Sequence, residues 1–223
     1  MARDFERELA NLRCWDARTQ AIYLERGEPV DDVILQNRRE LVALCQFIEQ
    51  QQLRSYLEIG AWTGRLASAL HTVFRFDQVA VCDDGYARRF GLELHLPSEA
   101  TLFVGSSRSP EYLSWRRDLG HIDLVFIDAD HSEAGVRADF ERERAMPHRF
   151  LAFHDIANPD PKAAGVARFW QGLEGGHTRE LRGSSGDRGL ASPTMGIGLW
   201  CATRPEGIEG FVSRGPDGGG AGC

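Results

Sequence analysis

Acidic side chains and histidines follow two short apolar runs of the chain, and these residue types can bind a metal ion or move a proton. Asp128-Ala129-Asp130-His131 follows the run 122–127, and His154-Asp155 follows the run 150–153. Ligands of an open parallel sheet bind beyond the carboxyl ends of its strands. We therefore expect Asp128, His154 and Asp155 to meet around one point. Hard oxygen ligands favour Mg²⁺, so these three residues are the predicted metal site.

A glycine turn follows the apolar run 55–59 and reads Glu58-Ile59-Gly60-Ala61-Trp62-Thr63-Gly64. Glycine allows a sharp bend and the approach of a ligand with no Cβ in the way. The dinucleotide fingerprint needs a further glycine that is missing here, which disfavours a nicotinamide-dependent oxidoreductase. The turn therefore predicts a nucleoside cofactor that lacks a pyrophosphate.

Two further runs end in residues suited to a nucleoside. Asp83, after the run 78–82, is expected to accept hydrogen bonds from both ribose hydroxyls, with a solvated turn at Asp83-Asp84 as the alternative. Gly105-Ser106-Ser107 follows the run 101–104, and Ser106 is expected near an adenine edge. The same residues are also ordinary loop composition. Likewise, His154 and Asp155 have an alternative interpretation as a strand cap and a turn.

Apolar runs and helical stretches alternate along the chain and predict the elements that must position these residues. The predicted strands include 55–59, 78–82, 101–104, 122–127, 150–153 and 196–202, and helices are predicted at 65–74, 113–119, 133–146 and 165–173. The predicted fold is α/β: a Rossmann-like, doubly wound, mostly parallel seven-stranded sheet with helices on both faces and an N-terminal helical cap. The cap is assigned to 1–52, the core to 53–204, and a glycine-rich tail, expected to be disordered, to 205–223. Residues 182–193 are predicted to form a long loop.

Composition excludes several classes of protein. The chain has 223 residues and a formal net charge of −7, which argues against capture of nucleic acid by clustered cations. No apolar run at the start has the length of a signal peptide or a membrane span, so we expect no membrane partner and a cytoplasmic location. The five cysteines are widely spaced and predict neither a disulfide framework nor a zinc site.

The run Leu57 to Gly64, followed by Asp83, Ile127-Asp128-Ala129-Asp130-His131 and His154-Asp155-Ile156, resembles class I S-adenosylmethionine-dependent methyltransferases. The resemblance spans roughly residues 55–202. It is strongest to the small O-methyltransferases of the catechol type and their natural-product relatives, which include macrolide-sugar methyltransferases and a cephalosporin-hydroxylase-like branch.

The resemblance implies a role for each matching residue. S-adenosylmethionine would be bound by Glu58, Gly60, Ala61, Trp62, Gly64, Asp83, Ser106 and Asp128, and Mg²⁺ by Asp128, His154 and Asp155. The catechol-type enzymes have Asp-Asn where this chain has His154-Asp155, and imidazole is a poorer Mg²⁺ ligand than an amide oxygen. They have lysine where this chain has His131, which suits a general base at neutral pH. A helix cap at His131 and a catalytic role for His154 are the alternatives.

The predicted reaction is O-methylation of a small hydroxylated metabolite. Trp15, Tyr23 and Trp170 are candidates to line the acceptor pocket, although large apolar residues at helical spacing more often form core. Two rivals remain open: an enzyme of this fold that does not transfer methyl, and a non-catalytic binding subunit. By analogy, a homodimer through the N-terminal helices is also expected.

Overall fold

The computed structural model describes residues 3–16, 19, 21, 31–183 and 194–215. Within these residues the helices are α1 Phe5–Glu8, α2 Arg38–Gln51, α3 Arg65–Phe74, α4 Pro110–Asp118, α5 Glu133–Glu143 and α6 Ala164–Gln171. The strands are β1 Ser55–Ile59, β2 Gln78–Asp83, β3 Thr101–Val104, β4 Ile122–Ile127, β5 His148–Phe153, β6 His177–Leu181, β7 Ile197–Cys201 and β8 Val212–Ser213. Short 3₁₀ helices cover Tyr86–Phe90 and Pro161–Ala163.

All described strands belong to one sheet with the order β3-β2-β1-β4-β5-β7-β6-β8. The strands β1 to β5 pair in parallel, and β7 joins β5 in the antiparallel direction. The chain leaves β1 towards β2 and β3 on one side and returns to β4 and β5 on the other. The predicted Rossmann-like, mostly parallel fold is confirmed, and its switch point lies between β1 and β4.

Helices cover both faces of the sheet, as expected. On one face, α2 and α3 pack apolar side chains such as Leu44, Phe47 and Leu70 against the sheet. On the other, α4, α5 and α6 contribute a second buried cluster. Trp170 of α6 belongs to this second cluster and is only 1% exposed. It is therefore part of the core, which is the alternative that its helical spacing favoured over the acceptor pocket.

Polar residues begin the helices at defined positions. The side chain of Asn37 accepts hydrogen bonds from the backbone N–H groups of Arg39 and Glu40 and starts α2. The hydroxyl of Ser132 accepts one from Gly135 N and starts α5. Such caps satisfy backbone donors that have no partner inside the helix. The cap of α5 is therefore Ser132, which leaves the neighbouring His131 side chain to the site.

The strand count is corrected from seven to eight. The charged, alternating sequence of β6 pairs antiparallel with β7, and two-residue β8 pairs with β6. Part of the region assigned to a disordered tail is also ordered. Ile208 and Phe211 are buried, and the Phe211 ring lies 6.3 Å from Phe47 and 6.1 Å from Phe150. Burial of this aromatic ring orders the segment before residue 215, whereas 216–223 lie outside the described residues.

The predicted N-terminal cap includes α1 and α2. Among the described residues, α1 contacts α2, and the segment 31–36 leads into α2. In this part of the chain no helix is long and apolar enough to cross a membrane. Tyr23 and most of the predicted 182–193 loop lie outside the described residues.

A close approach between α6 and the start of α5 predicts an unusual effect of alanine. A Cβ at Gly165 would lie 2.3 Å from His131 O and 2.4 Å from Glu133 N. Gly→Ala inside a helix normally stabilises it by about 1 kcal/mol. We expect Gly165→Ala instead to lower the free energy of unfolding by about 1–3 kcal/mol, because rigid backbone atoms must move.

The measurement is urea unfolding of the two proteins. Gly172→Ala, at the other end of α6, is the matched control, because its nearest contact would be 3.4 Å away. Equal midpoints for the two variants would contradict the packing argument.

Candidate functional site

A cavity of about 680 Å³ opens at the carboxyl edge of the sheet. It is lined by residues that follow β1, β2, β3, β4 and β5, and by the N-terminal segment that precedes α2. Every predicted site residue except Gly64 lines this cavity. The cavity therefore lies where the sheet order changes direction, which is the usual ligand site of this architecture.

Backbone hydrogen bonds hold the strand ends that carry the site. Gly60 N donates to Cys82 O, Gly105 N to Asp83 O, and Asp128 N to Ile59 O, at 2.8 to 3.0 Å. These bonds continue the parallel ladders past the last residues of the strands. The residues that face the cavity are thus positioned by the rigid sheet rather than by mobile loops.

The glycine turn serves close packing inside the protein. Gly60 has φ +82°, and a Cβ there would lie 2.5 Å from Ala129 Cα and Asp128 O. Gly64 has φ +73°, and its Cβ would lie 2.7 Å from His95 O. Both positions therefore need glycine for backbone conformation and for contact with another segment. The turn after β1 can meet the end of β4 only because residue 60 has no side chain.

Asp83 supports this turn directly. One carboxylate oxygen accepts hydrogen bonds from Ala61 N at 2.9 Å and Trp62 N at 3.2 Å. The other accepts one from Gly85 N at 2.7 Å. Asp83 is 7% exposed and lines the cavity. The same carboxylate thus fixes the turn and presents its remaining lone pairs to a ligand.

Two buried polar atoms of the turn region have no hydrogen-bond partner among the described residues. They are Glu58 Oε2 and Trp62 Nε1. Burial, reinforced by the charge of Asp128, raises the pKa of Glu58 well above its ordinary value. Unsatisfied buried polar groups are costly in a folded protein. Both residues line the cavity, so a ligand with matching polar groups would satisfy them.

The end of the cavity beside β3 contains contacts that the sequence interpretation missed. Ser106 lines this end, and its hydroxyl accepts a hydrogen bond from Arg108 N at 3.2 Å. Ser107 donates to Asp139 at 2.6 Å, and Arg108 pairs with Asp130 at 2.9 Å. Asp139 lies one helical turn after Val136 on α5, and only the fold brings it to this loop. The apolar spacing of the predicted helix 133–146 does not predict the contact between Asp139 and Ser107.

A cluster of two carboxylates and two imidazoles lies at the ends of β4 and β5. His131 Nε2 is 3.0 Å from Asp128 Oδ1, and His131 Nδ1 is 3.4 Å from Asp155 Oδ2. Asp128, His131 and Asp155 each offer one ligand atom, and these three atoms lie within 4.8 Å of one another. His154 was predicted as a ligand but is absent from this set of donor atoms. Among the described donors, the set that could share one ion thus includes His131 and not His154.

His154 contacts the two carboxylates of the cluster from the interior of the protein. Its Nδ1 lies 3.2 Å from Asp128 Oδ2 and 3.5 Å from Asp155 Oδ1, and its side chain is 3% exposed. Burial alone would lower the pKa of His154, but the charges of Asp155 and Asp128 outweigh burial and raise it to about 9. Burial opposes ionisation of Asp128 as well, yet the two histidines lower its pKa to about 2. His154 is therefore a buried imidazole paired with Asp128, and the two carboxylates favour its protonated form.

Asp155 itself has φ +65°, a conformation that residues other than glycine rarely adopt. Its Oδ1 accepts a hydrogen bond from the Asn158 side chain at 2.7 Å. Backbone strain of this kind persists when the surroundings hold the residue in place, and it is concentrated at functional sites. The carboxylate of Asp155 thus points towards His131 while the backbone of Asp155 is held in an unfavourable, positive-φ conformation.

The N-terminal segment and Met195, two residues before β7, line another side of the cavity. Trp15, a predicted pocket residue, does line the cavity. Sequence analysis missed the other lining residues of this side, which are Val33, Ile34, Leu35, Gln36 and Met195. The short apolar run 33–35 resembles a run of ordinary core residues, so the sequence does not mark it as part of a ligand site.

The charge of His154 predicts a pH-dependent stability. A histidine whose pKa is raised from 6.5 to about 9 on folding stabilises the protein fully below pH 6.5, and this contribution is lost as the pH rises through 9. We expect the Tm of the metal-free protein, in chelator, to fall between pH 6.5 and 9, and to fall less in His154→Gln. His121→Gln, on an exposed side chain, is the matched control. Identical profiles for the wild type and His154→Gln would rule out a buried His154 cation.

Comparison with known proteins agrees with this site. The model of a family described as a methyltransferase domain matches residues 57–156, which run from β1 to the residue after Asp155. No curated protein matches the chain in sequence. The matched range includes the glycine turn, Asp83, Ser106 and the whole acidic cluster.

Solved structures, two of them described as O-methyltransferases, resemble the chain over most of its length. The O-methyltransferase TomG from Streptomyces achromogenes, in complex with SAM, superposes with a TM-score of 0.57 at 18% identity, and 91% of this chain and 100% of that chain are covered. The O-methyltransferase from Bacillus cereus, in complex with SAH, gives 0.54 at 17% identity with 91% and 92% coverage. Cofactor-bound Rv0187 from MTB gives 0.51 at 20% identity with 83% and 88% coverage.

At these identities the structural likeness establishes the fold. Residues 57–156 match the model of a methyltransferase domain, and the chain has the fold of these O-methyltransferase structures, so the resemblance predicted from the strand-end residues is confirmed.

Proposed function

We propose that the chain transfers the methyl group of S-adenosylmethionine to a hydroxyl oxygen of a small molecule. The observation that carries the proposal is the position of two groups in one cavity. The glycine turn with Asp83 lies on one side, and Asp128, His131 and Asp155 lie on the other. A methyl donor and a hydroxyl acceptor held there would meet between them, and such positioning supplies much of the acceleration of a displacement reaction.

The cofactor would lie along the ends of β1, β2 and β3. In this proposal the free lone pairs of Asp83 accept from the ribose hydroxyls, and Ser106 faces the adenine. The methionine part would lie by Glu58, Gly60, Ala61, Trp62 and Gly64 and extend towards Asp128. Support comes from the unpartnered Glu58 Oε2 and Trp62 Nε1, which a ligand rich in polar groups would satisfy.

The acidic cluster fits a metal ion in part. Asp128 and Asp155 offer the oxygen ligands that Mg²⁺ prefers, whereas the third nearby donor is the imidazole of His131. We propose that the two carboxylates hold the ion and that His154 orients Asp128 without binding the metal. A bound Mg²⁺ would polarise the acceptor hydroxyl and make it easier to deprotonate.

His131 is the proposed general base. Its side chain is 34% exposed at the cavity, and both ring nitrogens lie near carboxylates. Its hydrogen bond to Asp128 is the main reason that the pKa of His131 is raised. During transfer the acceptor O–C bond forms, the C–S bond of the cofactor breaks, and the hydroxyl proton passes to His131. The two carboxylates then stabilise the imidazolium.

The remaining expectations belong to the same proposal. The net charge of −7 supports a small-molecule acceptor rather than nucleic acid. A homodimer through the N-terminal helices, a cytoplasmic location and a division into a cap over 1–52 and a core from 53 stay predictions. The rivals are an enzyme of this fold that binds the same cofactor without methylating, and a non-catalytic binding subunit. A methyltransferase, unlike either rival, releases S-adenosylhomocysteine together with an equal amount of methylated product.

The first test is cofactor binding. We expect the wild type to bind S-adenosylmethionine and S-adenosylhomocysteine in calorimetry, and Asp83→Asn to weaken both at least tenfold, since one carboxylate supports the turn and the ribose. Asp123→Asn is the matched control. The carboxylate of Asp123 likewise accepts from two backbone N–H groups, Arg54 N and Ser55 N, but at the opposite edge of the sheet. Lack of binding to the wild type would refute the proposed function.

The second test concerns the base. In the metal-free protein the hydrogen bond to Asp128 raises the pKa of His131, so His131 becomes neutral only at higher pH, and kcat/KM of the wild type in chelator is expected to rise with pH above the ordinary range for histidine. His131→Gln is expected to lower kcat about 100-fold or more and to flatten this profile, with the cofactor Kd unchanged. Turnover is measured as S-adenosylhomocysteine release from a panel of phenols and sugars.

Chelator separates the base from the metal in this assay. Asp155→Asn is expected to lose the stimulation by Mg²⁺ that the wild type shows, while it keeps cofactor affinity. Wild-type turnover that is unchanged in chelator would remove the metal from the mechanism. An unchanged pH profile in His131→Gln would assign the proton transfer to another group.

A further inference from the structure

The side-chain carbonyl oxygen of Gln36 is buried in the cavity wall, and no described residue donates a hydrogen bond to it. Gln36 is 2% exposed and lines the cavity. Its Oε1 atom has no hydrogen-bond partner among the residues that the structure describes. An amide in an apolar wall strongly favours any arrangement that supplies the missing hydrogen bond. The cavity is the space from which a ligand can supply it.

The backbone around Gln36 is fully engaged, which holds the amide in place. Gln36 O accepts from Trp15 N at 3.0 Å, and Gln36 N donates to Ile34 O at 2.7 Å. The next residue, Asn37, is the N-cap of α2. With the backbone used in this way, the side-chain amide is the polar group of this residue that remains for recognition.

Gln36 lies on the half of the cavity away from the proposed cofactor site. On α2, four residues later, Glu40 accepts a hydrogen bond from Gly183 N, just after β6. Met195, which also lines the cavity, accepts one from Ala157 N, just after β5. This region therefore packs beside β5, β7 and β6, whereas Asp83 and Ser106 lie across β1 at β2 and β3. A molecule that contacts Gln36 occupies the acceptor half.

The wall around the amide is otherwise apolar. Val33, Ile34 and Met195 are at most 6% exposed, and Leu35 and the Trp15 indole line the same side. Further polar residues, Arg65, Asn158, Asp160 and Lys162, line other parts of the cavity, but the Gln36 amide is the buried polar group set among these apolar side chains. An apolar surface with one fixed polar group binds an apolar body and selects its orientation through that group.

We propose that Gln36 recognises the end of the acceptor that lies opposite the reacting hydroxyl. The acceptor is then a small alcohol or phenol with two polar ends and an apolar middle. The reacting hydroxyl lies at the cluster, and a hydroxyl or N–H group at the other end donates to Gln36 Oε1. This inference rests on the proposed function, since it takes the cluster as the place of methyl transfer.

The experiment uses two catechols of nearly equal shape as probes. One has a hydroxymethyl group para to a ring hydroxyl, and the other has an ethyl group in the same place. Binding of each is measured by calorimetry to the full chain saturated with S-adenosylhomocysteine. We expect the wild type to prefer the hydroxymethyl probe about tenfold, since a site built to pair a hydroxyl discriminates against an analogue that lacks it. We expect Gln36→Leu to lose this preference.

Gln51→Leu is the matched control. Gln51 is a similarly buried glutamine, 6% exposed, whose side chain accepts from Arg149 Nη2 at the other end of α2. It lies about 20 Å away along the helix, at 1.5 Å per residue, so the preference between the probes should remain. Affinity for S-adenosylhomocysteine reports folding. If Gln36→Leu fails to bind it, Gln36→Met, which keeps the side-chain length, takes its place.

Two results would overturn the inference alone: a wild type that binds S-adenosylhomocysteine but does not distinguish the probes, or a preference that survives in the Gln36 variants. A wild type that binds no S-adenosylhomocysteine would refute the proposed function, and the acceptor assignment with it.

Discussion

The site depends on the direct approach of two backbone segments, the turn after β1 and the end of β4. Gly60 has no room for a Cβ against Asp128 and Ala129, and Asp128 N donates to Ile59 O. Asp83 then holds the turn from the β2 side through Ala61 and Trp62. This contact brings the glycine turn and the acidic cluster to the same cavity. A side chain at residue 60 would separate them, because the atoms it meets are backbone atoms that cannot rotate away.

Charge balance is the second constraint on the cavity. Asp128 and Asp155 are close enough to repel each other, and two histidines lie against them from different sides. His154 is buried and contacts Asp128 from within the protein, whereas His131 is partly exposed to the cavity. The two histidines therefore balance the carboxylate charge from positions that differ in burial. Glu58, in contrast, is buried beside the charge of Asp128, and burial together with that charge raises its pKa.

Much of this arrangement was predictable because strand ends are local features. The apolar runs, the glycine turn and the acidic residue after β2 are each a few residues long, and parallel pairing places such ends along one edge. The missed features depend on contacts between distant segments. The alternating charged sequence of β6 did not predict a strand, and its pairing with β7 follows from the fold. Phe211 lies in a segment predicted as a tail, but its ring packs against Phe47 and Phe150. Gln36, likewise, has no partner nearby in sequence.

The sequence by itself determined the class of fold and which strand ends carry reactive side chains, since these follow from the periodicity of apolar residues and from turn chemistry. Tertiary structure alone decided how far each histidine is exposed to the cavity. His131 follows β4 by four residues and stays 34% exposed, whereas the packing around β5 buries His154, the residue directly after that strand. Asp155 turns through a positive φ towards His131. Burial is a property of the whole fold, and no short stretch of residues specifies it.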